Sequence, residues 1–295
     1  MSIFAKTTSQ TITVRSLTSA DEDQILRLVD TAWRVNLRLS PFELKTNLRS
    51  MFGFVAEDKI GLRGFLIMEP RFPNLTFLVA VGLRDSWNVK SLLDVLLPDI
   101  EAETQRRKLS SLVYIGSASW LIEELWRRQF QTREWIVVLQ RLGDKPLPAV
   151  PAPARIRPMQ SGDLEALTRL DALTFDQIWQ KSAHKFAEAL AIGDSLMIAE
   201  MDGQAVGYEW CEVHPRHAHL NRLAVHPNYQ GQGIGSQLLH RAISDSLAAG
   251  VQKITLNTQE HNHRSIALYQ RFGFEMTSQQ LPVLVKMLDG SRLKH

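Results

Sequence analysis

The two halves of this chain read alike, and a chain that repeats itself over so long a separation is constrained to fold as two similar units. Ile12-Thr13-Val14-Arg15-Ser16-Leu17-Thr18-Ser19-Ala20-Asp21 aligns with Ala154-Arg155-Ile156-Arg157-Pro158-Met159-Gln160-Ser161-Gly162-Asp163 at an offset of 142. Phe77-Leu78-Val79-Ala80-Val81 aligns with Asn221-Arg222-Leu223-Ala224-Val225 at 144. Leu125-Trp126-Arg127-Arg128-Gln129-Phe130 aligns with Leu268-Tyr269-Gln270-Arg271-Phe272-Gly273-Phe274 at 143. Between the copies, residues 143–154 carry Pro146, Pro148, Pro151 and Pro153 with little periodicity, the composition of a stiff, extended linker. The expected domains are therefore residues 1–142 and 155–295. With 295 residues, 44% of them hydrophobic, the chain can bury two cores.

The second copy alternates strand and helix patterns, a mixed α/β order. Residues 155–158 read as a strand, and 162–173 and 181–192 as helices with apolar positions at helical spacing. Strands over 195–201 and 204–213 flank Asp202-Gly203, a two-residue hairpin turn. A strand over 218–225, a long helix over 234–249 stopped by Gly250, a strand over 253–258 and a short helix follow. Two closing strands are expected near 274–276 and 282–287.

Between the 218–225 strand and the long helix stands Gln230-Gly231-Gln232-Gly233-Ile234-Gly235. Glycines at alternate positions remove side chains that would hold a ligand off the main chain, and they permit φ > 0 where amides must converge. The helix that follows aims its free N–H groups and positive dipole end at the same point, so an anion is the natural occupant. A nucleotide P-loop needs Lys and Ser or Thr after its last glycine, and Ser236-Gln237-Leu238 stand there instead. The dinucleotide fingerprint fails too, because Ser236 or Leu238 occupies the place of its third glycine.

A Gln-x-x-Gly-x-Gly hexad preceded by Leu223-Ala224-Val225-His226-Pro227 resembles the pyrophosphate loop of the GNAT superfamily of acyl-CoA-dependent acyltransferases. Downstream, Asn262-His263-Arg264-Ser265-Ile266-Ala267-Leu268-Tyr269-Gln270-Arg271-Phe272-Gly273-Phe274 resembles that family's closing segment. Asn262 is also a good N-cap, and Tyr269 also suits a half-buried aromatic position. The resemblance implies two tandem GNAT-type domains, each a mostly antiparallel mixed sheet flanked by helices. It implies that the strands ending near Val225 and Thr258 splay apart in the second. It further implies acetyl-CoA as acyl donor, with the main chain of Leu223, Ala224 and Val225 pairing with the pantetheine arm. Gln230, Gly231, Gln232, Gly233, Ile234, Gly235 and Ser236 would hold the diphosphate, with Asn262 on the cofactor arm. The duplicated arrangement is similar to that of mycothiol synthases, from which no substrate is carried over.

The first copy lacks these features. Asp85-Ser86-Trp87-Asn88-Val89-Lys90 replaces the hexad, Trp126 replaces the Tyr, and Ser119 and Trp120 stand where an Asn is wanted. The first copy is thus expected to be a degenerate domain that binds no cofactor.

Acylating an amine requires removing a proton from an alkylammonium and giving one to the departing thiolate. His219 lies on the strand leading into the loop and, at period 2, is expected to share a face with Asn221, Leu223 and Val225. It is the candidate base, with Glu209 and Glu212 as rivals on opposite faces of the preceding strand. Tyr269 is the candidate acid, a role the resemblance favours over that of a binding group that transfers no proton. The acceptor implied by the resemblance is a small-molecule or peptide amine, its pocket expected near residues 175–191 and His214-Pro215-Arg216, with the first domain as a further contributor. Phe175, Trp179 and Tyr208 either line it or belong to the core. A non-catalytic acyl-CoA-binding regulatory module is the competing reading.

The lone cysteine, Cys211, excludes an intrachain disulfide and reads as a core residue, not an acyl carrier. No Cys/His spacing resembles a metal site. A net charge of +3 disfavours a nucleic-acid partner. Neither a signal-peptide core after Met1 nor an apolar run of about 18 residues occurs, so a cytoplasmic enzyme without membrane partners is expected. A homo-oligomer is left open.

Overall fold

The computed structural model describes residues 12–71, 73–85, 87–143 and 145–291; the N-terminal stretch beginning at Met1 and Ser86 of the degenerate loop lie outside them. Contacts divide the chain into a first unit of residues 1–135 with 281–295 and a second of residues 136–280. These units do not follow the expected boundaries at 142 and 155, and the reason is strand pairing.

The first unit contains β1 (Thr13–Ser16), α1 (Glu22–Thr31), β2 (Arg34–Leu37), α2 (Pro41–Asn47), β3 (Phe52–Asp58), β4 (Gly61–Arg71) and β5 (Leu75–Leu83). It continues through α3 (Val89–Arg106), β6 (Ser111–Ile115) and α4 (Ser119–Arg127) into β7 (Gln131–Leu142). The second contains β8 (Arg155–Pro158), α5 (Leu164–Thr174), α6 (Ala183–Ile192), β9 (Ser195–Met201), β10 (Gln204–His214) and β11 (His217–Val225). Then come α7 (Ile234–Ala248), β12 (Lys253–Gln259), α8 (His263–Arg271) and β13 (Glu275–Met287). β13 is one strand of 13 residues where two short ones were expected.

In the first unit the strands run β1-β3-β4-β5-β6, and residues 283–287 of β13 complete the sheet against β6. In the second they run β8-β9-β10-β11-β12, and residues 136–142 of β7 complete it against β12. Each copy therefore takes its last strand from the end of the other. Pairing is antiparallel except for β5 with β6 and β11 with β12, so both units are mixed α/β sheets with helices on their faces.

Equivalent interactions confirm the duplication. Arg15 bonds Asp21 at 2.7 Å and Glu57 at 2.9 Å; Arg157 bonds Asp163 at 2.8 Å and Glu200 at 2.6 Å. In each case the guanidinium is the main influence holding the helix-start aspartate below the usual carboxylate range. The residues of the Pro-rich segment that are described are packed, not a free spacer. Leu147 and Val150 lie against the core of the second unit, and Gln237 of α7 bonds both the N–H and the carbonyl of Ala154.

The second sheet has a helix layer on each face. Leu238, Leu239, Ala242 and Ile243 recur at helical spacing on α7 and bury with Ile266 and Tyr269 of α8 against Cys211, Ala218 and Leu220. On the other face Leu167 and Leu170 of α5 and Phe186 of α6 pack on Tyr208, Trp210 and Ala224. Burial of each large apolar side chain contributes about 1.5–3 kcal/mol. Asp202 and Gly203 both have positive φ, 49° and 76°, as the tight β9–β10 turn requires.

Candidate active site

β11 and β12 pair only from His217 with Lys253 to Leu220 with Leu256. Beyond that, β11 continues to Val225 and β12 to Gln259 without pairing to each other. Leu223, Ala224 and Val225 pair on one side with Glu209, Tyr208 and Gly207 of β10. Asn257, Thr258 and Gln259 pair on their far side with β7. Apart from the Val225 carbonyl, which Gln230 engages, the sides of these strands that face the cleft pair with no other strand and can meet an extended ligand.

In the first unit β5 and β6 part in the same way after Phe77 and Val113, yet the outcome differs. There β2 lies along β5, pairing Leu37 with Ala80, Asn36 with Val81, Val35 with Gly82 and Arg34 with Leu83. The chain's own strand fills that cleft.

A β-bulge corrects the register of the repeat. Leu220 pairs with Cys211 and Arg222 with Trp210, leaving Asn221 as the extra residue. In β5 the extra residue is Val79, between Leu78 opposite Met68 and Ala80 opposite Ile67. Asn221 therefore corresponds to Val79, not to Phe77, and Phe77 takes the place of His219. Phe77 lies beneath the guanidinium groups of Arg38 and Arg71, at 5.4 and 4.2 Å. The bulge also flips side-chain parity. Leu223 and Val225 pack toward α7, whereas His219 shares the α5–α6 face with Arg222, so the expected common face of His219 with Leu223 and Val225 does not hold.

The glycine loop leads into the start of α7. Gly231 and Gly233 have φ of 84° and 90°, and Gly233 is an N-cap without a side-chain capping bond. The first N–H groups of α7, at Ile234, Gly235 and Ser236, have no acceptor inside the helix. Gly235 differs from the other two. Its φ is not positive, and an added Cβ would meet Val225 at an ordinary 3.6 Å. Gln230 donates to the Val225 carbonyl at 3.1 Å and accepts from Arg264 at 2.9 Å. Arg271 donates to Ser236 Oγ at 2.8 Å, bringing a second guanidinium to the loop. Arg271 escaped the sequence reading; its signal was a spacing of seven from Arg264, two helical turns on one face. In the first unit the loop is shorter and Asn88 caps α3 itself, accepting from the Ser91 N–H at 2.8 Å.

Tyr269 is 7% exposed, packed edge-on against Phe274 with ring centres 5.9 Å apart, and burial pushes its phenol up to about 12. Asn262 caps α8, its Oδ1 accepting from the Ser265 N–H at 3.2 Å. The turn after each helix fixes a further correction: Phe274 N–H bonds the Tyr269 carbonyl as Phe130 N–H bonds that of Leu125. Leu125, not Trp126, replaces the Tyr, and Ala118, the N-cap of α4, replaces Asn262.

His219 Nδ1 lies 2.9 Å from Thr255 Oγ1, which is also 3.1 Å from His217 Nε2. Burial, then the neighbouring His217 and Lys181, lowers the His219 imidazole to about 4. Glu212 is on this face and accepts from Asn221. Glu209 is on the other, fully buried, with Ser195 Oγ donating to it at 3.3 Å. The Cys211 thiol, raised by burial to about 12, stays protonated in the core beside Ser246.

Of the aromatic candidates, Tyr208 belongs to a buried polar knot, whereas Phe175 and Trp179 are half-buried beside it. Tyr208 Oη donates to Asp171 Oδ1 at 2.5 Å, the Lys181 N–H donates to Oδ2 at 2.6 Å, and Arg222 Nε lies 3.4 Å from Oδ1. The Arg222 guanidinium covers Phe175 at 4.3 Å and donates to the Trp179 carbonyl. Asp171, wholly buried, was not foreseen, because an aspartate in an amphipathic helix usually faces solvent.

Beside Thr255 opens a cavity of about 330 Å³ lined by Gln140, Lys253, Thr255, Thr277, Ser278 and Gln279, with Val138 as an apolar wall. Among the described residues there is no group of three or more His, Cys, Asp or Glu able to hold a metal, and no helix long and apolar enough to cross a membrane.

Residues 164–274 match the family model described as "Acetyltransferase (GNAT) family". The chain is 26% identical over 168 residues to a mycothiol acetyltransferase of Pseudarthrobacter chlorophenolicus, covering 52% of this chain and 50% of that protein. It is 29% identical over 152 residues to the mycothiol acetyltransferase of Saccharomonospora viridis, covering 44% and 48%. The chain thus spans about half the length of these relatives. A tandem GNAT protein from the clavulanic acid biosynthesis pathway superposes with a TM-score of 0.69 at 15% identity, over 96% of this chain and 100% of that one, a likeness of fold.

Proposed function

The second unit carries a domain of the acetyltransferase (GNAT) family, and from that premise we propose that the chain transfers an acetyl group from acetyl-CoA directly to a primary amine. The carrying observation is the contrast between two equivalent clefts. In one, β2 fills the cleft and Asn88 caps the helix; in the other, strands diverge toward a helix whose N-cap has no side-chain bond. Leu223, Ala224 and Val225 would hold the pantetheine arm by main-chain pairing. The amides from Gly231 to Ser236 would hold the diphosphate, with Arg264 and Arg271 adding positive charge.

Acetyl-CoA supplies an activated thioester carbonyl. The phenol of Tyr269, at about 12, keeps its proton at neutral pH and is the donor proposed for the departing sulfur. His219, at about 4, remains neutral and is oriented through Nδ1 by Thr255. It is too weak a base to deprotonate a free alkylammonium, which gives its proton to water. Its proposed task is to accept the second proton, after C–N bonding makes the attacking nitrogen far more acidic. Asn262 orders α8 beneath Tyr269.

CoA release with a panel of amines tests the reading, alongside calorimetry with acetyl-CoA. The native chain should turn over, and Tyr269→Phe and His219→Ala should lower kcat by about 10²–10³-fold while binding persists. Binding without turnover of any amine would replace this reading with that of an acyl-CoA-binding regulatory module.

A further inference from the structure

We infer that the polar cavity beside Thr255 is the acceptor subsite, and that it takes a small amine that also bears a carboxylate; this inference rests on the acetyl-transfer reading. Its volume, about 330 Å³, is at the lower end for small-molecule sites, which suits a compact acceptor better than a folded protein segment. Thr255 belongs both to the cavity wall and to the hydrogen-bonded pair with His219, so one side chain links the cavity to the proposed proton acceptor.

The charge of the lining decides the class. Lys253 is exposed, two residues before Thr255 on the same strand face, about 7 Å along β12. It has no carboxylate partner among the described residues, and no carboxylate lines the cavity. Glu212, on β10 beyond β11, is engaged by Asn221 and lies 4.0 Å from His214. A simple alkylammonium would meet only positive charge there, whereas an amine with its own carboxylate brings the counter-ion for Lys253. Thr277 and Ser278 offer hydroxyls and Gln140 and Gln279 amides, which suit a polar body rather than an alkyl chain.

The test uses the full chain with acetyl-CoA and three matched series: ω-amino acids from glycine to 6-aminohexanoate, their carboxamides, and n-alkylamines of equal length. At least one amino acid should exceed its carboxamide by about tenfold in kcat/KM through a lower KM, the effect of one partly screened charge-assisted contact. Lys253→Gln should raise that KM to the carboxamide's value, Lys253→Arg should restore most of the preference, and calorimetry should show unchanged acetyl-CoA affinity in both. Turnover with equal preference for carboxylate and carboxamide, or a preference that survives Lys253→Gln, overturns the inference alone. Bound acetyl-CoA without turnover of any amine overturns the acetyl-transfer reading together with it.

Discussion

Replacing Glu209 by glutamine should leave the protein slightly less stable than the parent in acid and clearly more stable in alkali. Glu209 sits on β10 opposite Leu223, fully buried, with Ser195 Oγ at 3.3 Å on one oxygen and no hydrogen-bond partner on the other. Burial raises its carboxyl from 4.5 to about 8. Between those values the unfolded chain has lost this proton and the folded chain keeps it, so stability falls as pH rises through that window. At about 1.4 kcal/mol per unit the loss reaches a ceiling of roughly 5 kcal/mol at pH 8 and above. Glutamine carries no charge and so escapes this loss, but it leaves an extra N–H unmet at about 1–3 kcal/mol. The net expectation is a deficit of about 1–3 kcal/mol near pH 4.5 and a gain of about 2–4 kcal/mol at pH 8.5, with the two curves crossing between. Thermal and urea melts of both proteins at four pH values measure this directly. Parallel stability profiles would show that Glu209 ionises in the folded chain as readily as in the unfolded one and refute the reasoning.

Three further outcomes bear on the proposed cofactor cleft. Titration calorimetry should give one acetyl-CoA per chain, because β2 fills the first cleft and Asn88 caps α3; a stoichiometry near two would contradict that account. Arg264→Ala and Arg271→Ala should each weaken acetyl-CoA binding about 2–10-fold and flatten its dependence on salt. Affinity and salt slope unchanged in the double variant would remove both residues from the site. Gly233→Ala should lower the melting temperature by several degrees, since its φ of 90° costs about 1–2 kcal/mol and its Cβ would lie 2.8 Å from Pro151. Gly235→Ala should fold like the parent but bind acetyl-CoA at least tenfold more weakly, the methyl group intruding where main chain is expected to approach the diphosphate. Equal affinity for Gly235→Ala and the parent would disprove that close approach.

What could be read from the sequence was local. The hexad, the hairpin at Asp202-Gly203 and the amphipathic helices depend on neighbours within a few residues, and periodicity or glycine chemistry exposes them. The bulge at Asn221 was hidden because one inserted residue leaves composition unchanged while reversing every side chain beyond it. That reversal placed His219 apart from Leu223 and shifted the match of β5 to β11 by two residues. The exchanged last strands were hidden for a different reason. β6 and β12 present similar edges to similar closing strands, so local pattern cannot choose between partners in a duplicated chain. Nor could β2, a four-residue segment reading Arg-Val-Asn-Leu, announce its position. Its placement nevertheless explains the degenerate loop in physical terms. Once β2 supplies donors and acceptors to β5, the β5 edge of the first cleft is no longer open to an extended ligand. The strand-lined cleft and the lack of glycines in the first unit thus go together, as the unpaired cleft and the hexad do in the second.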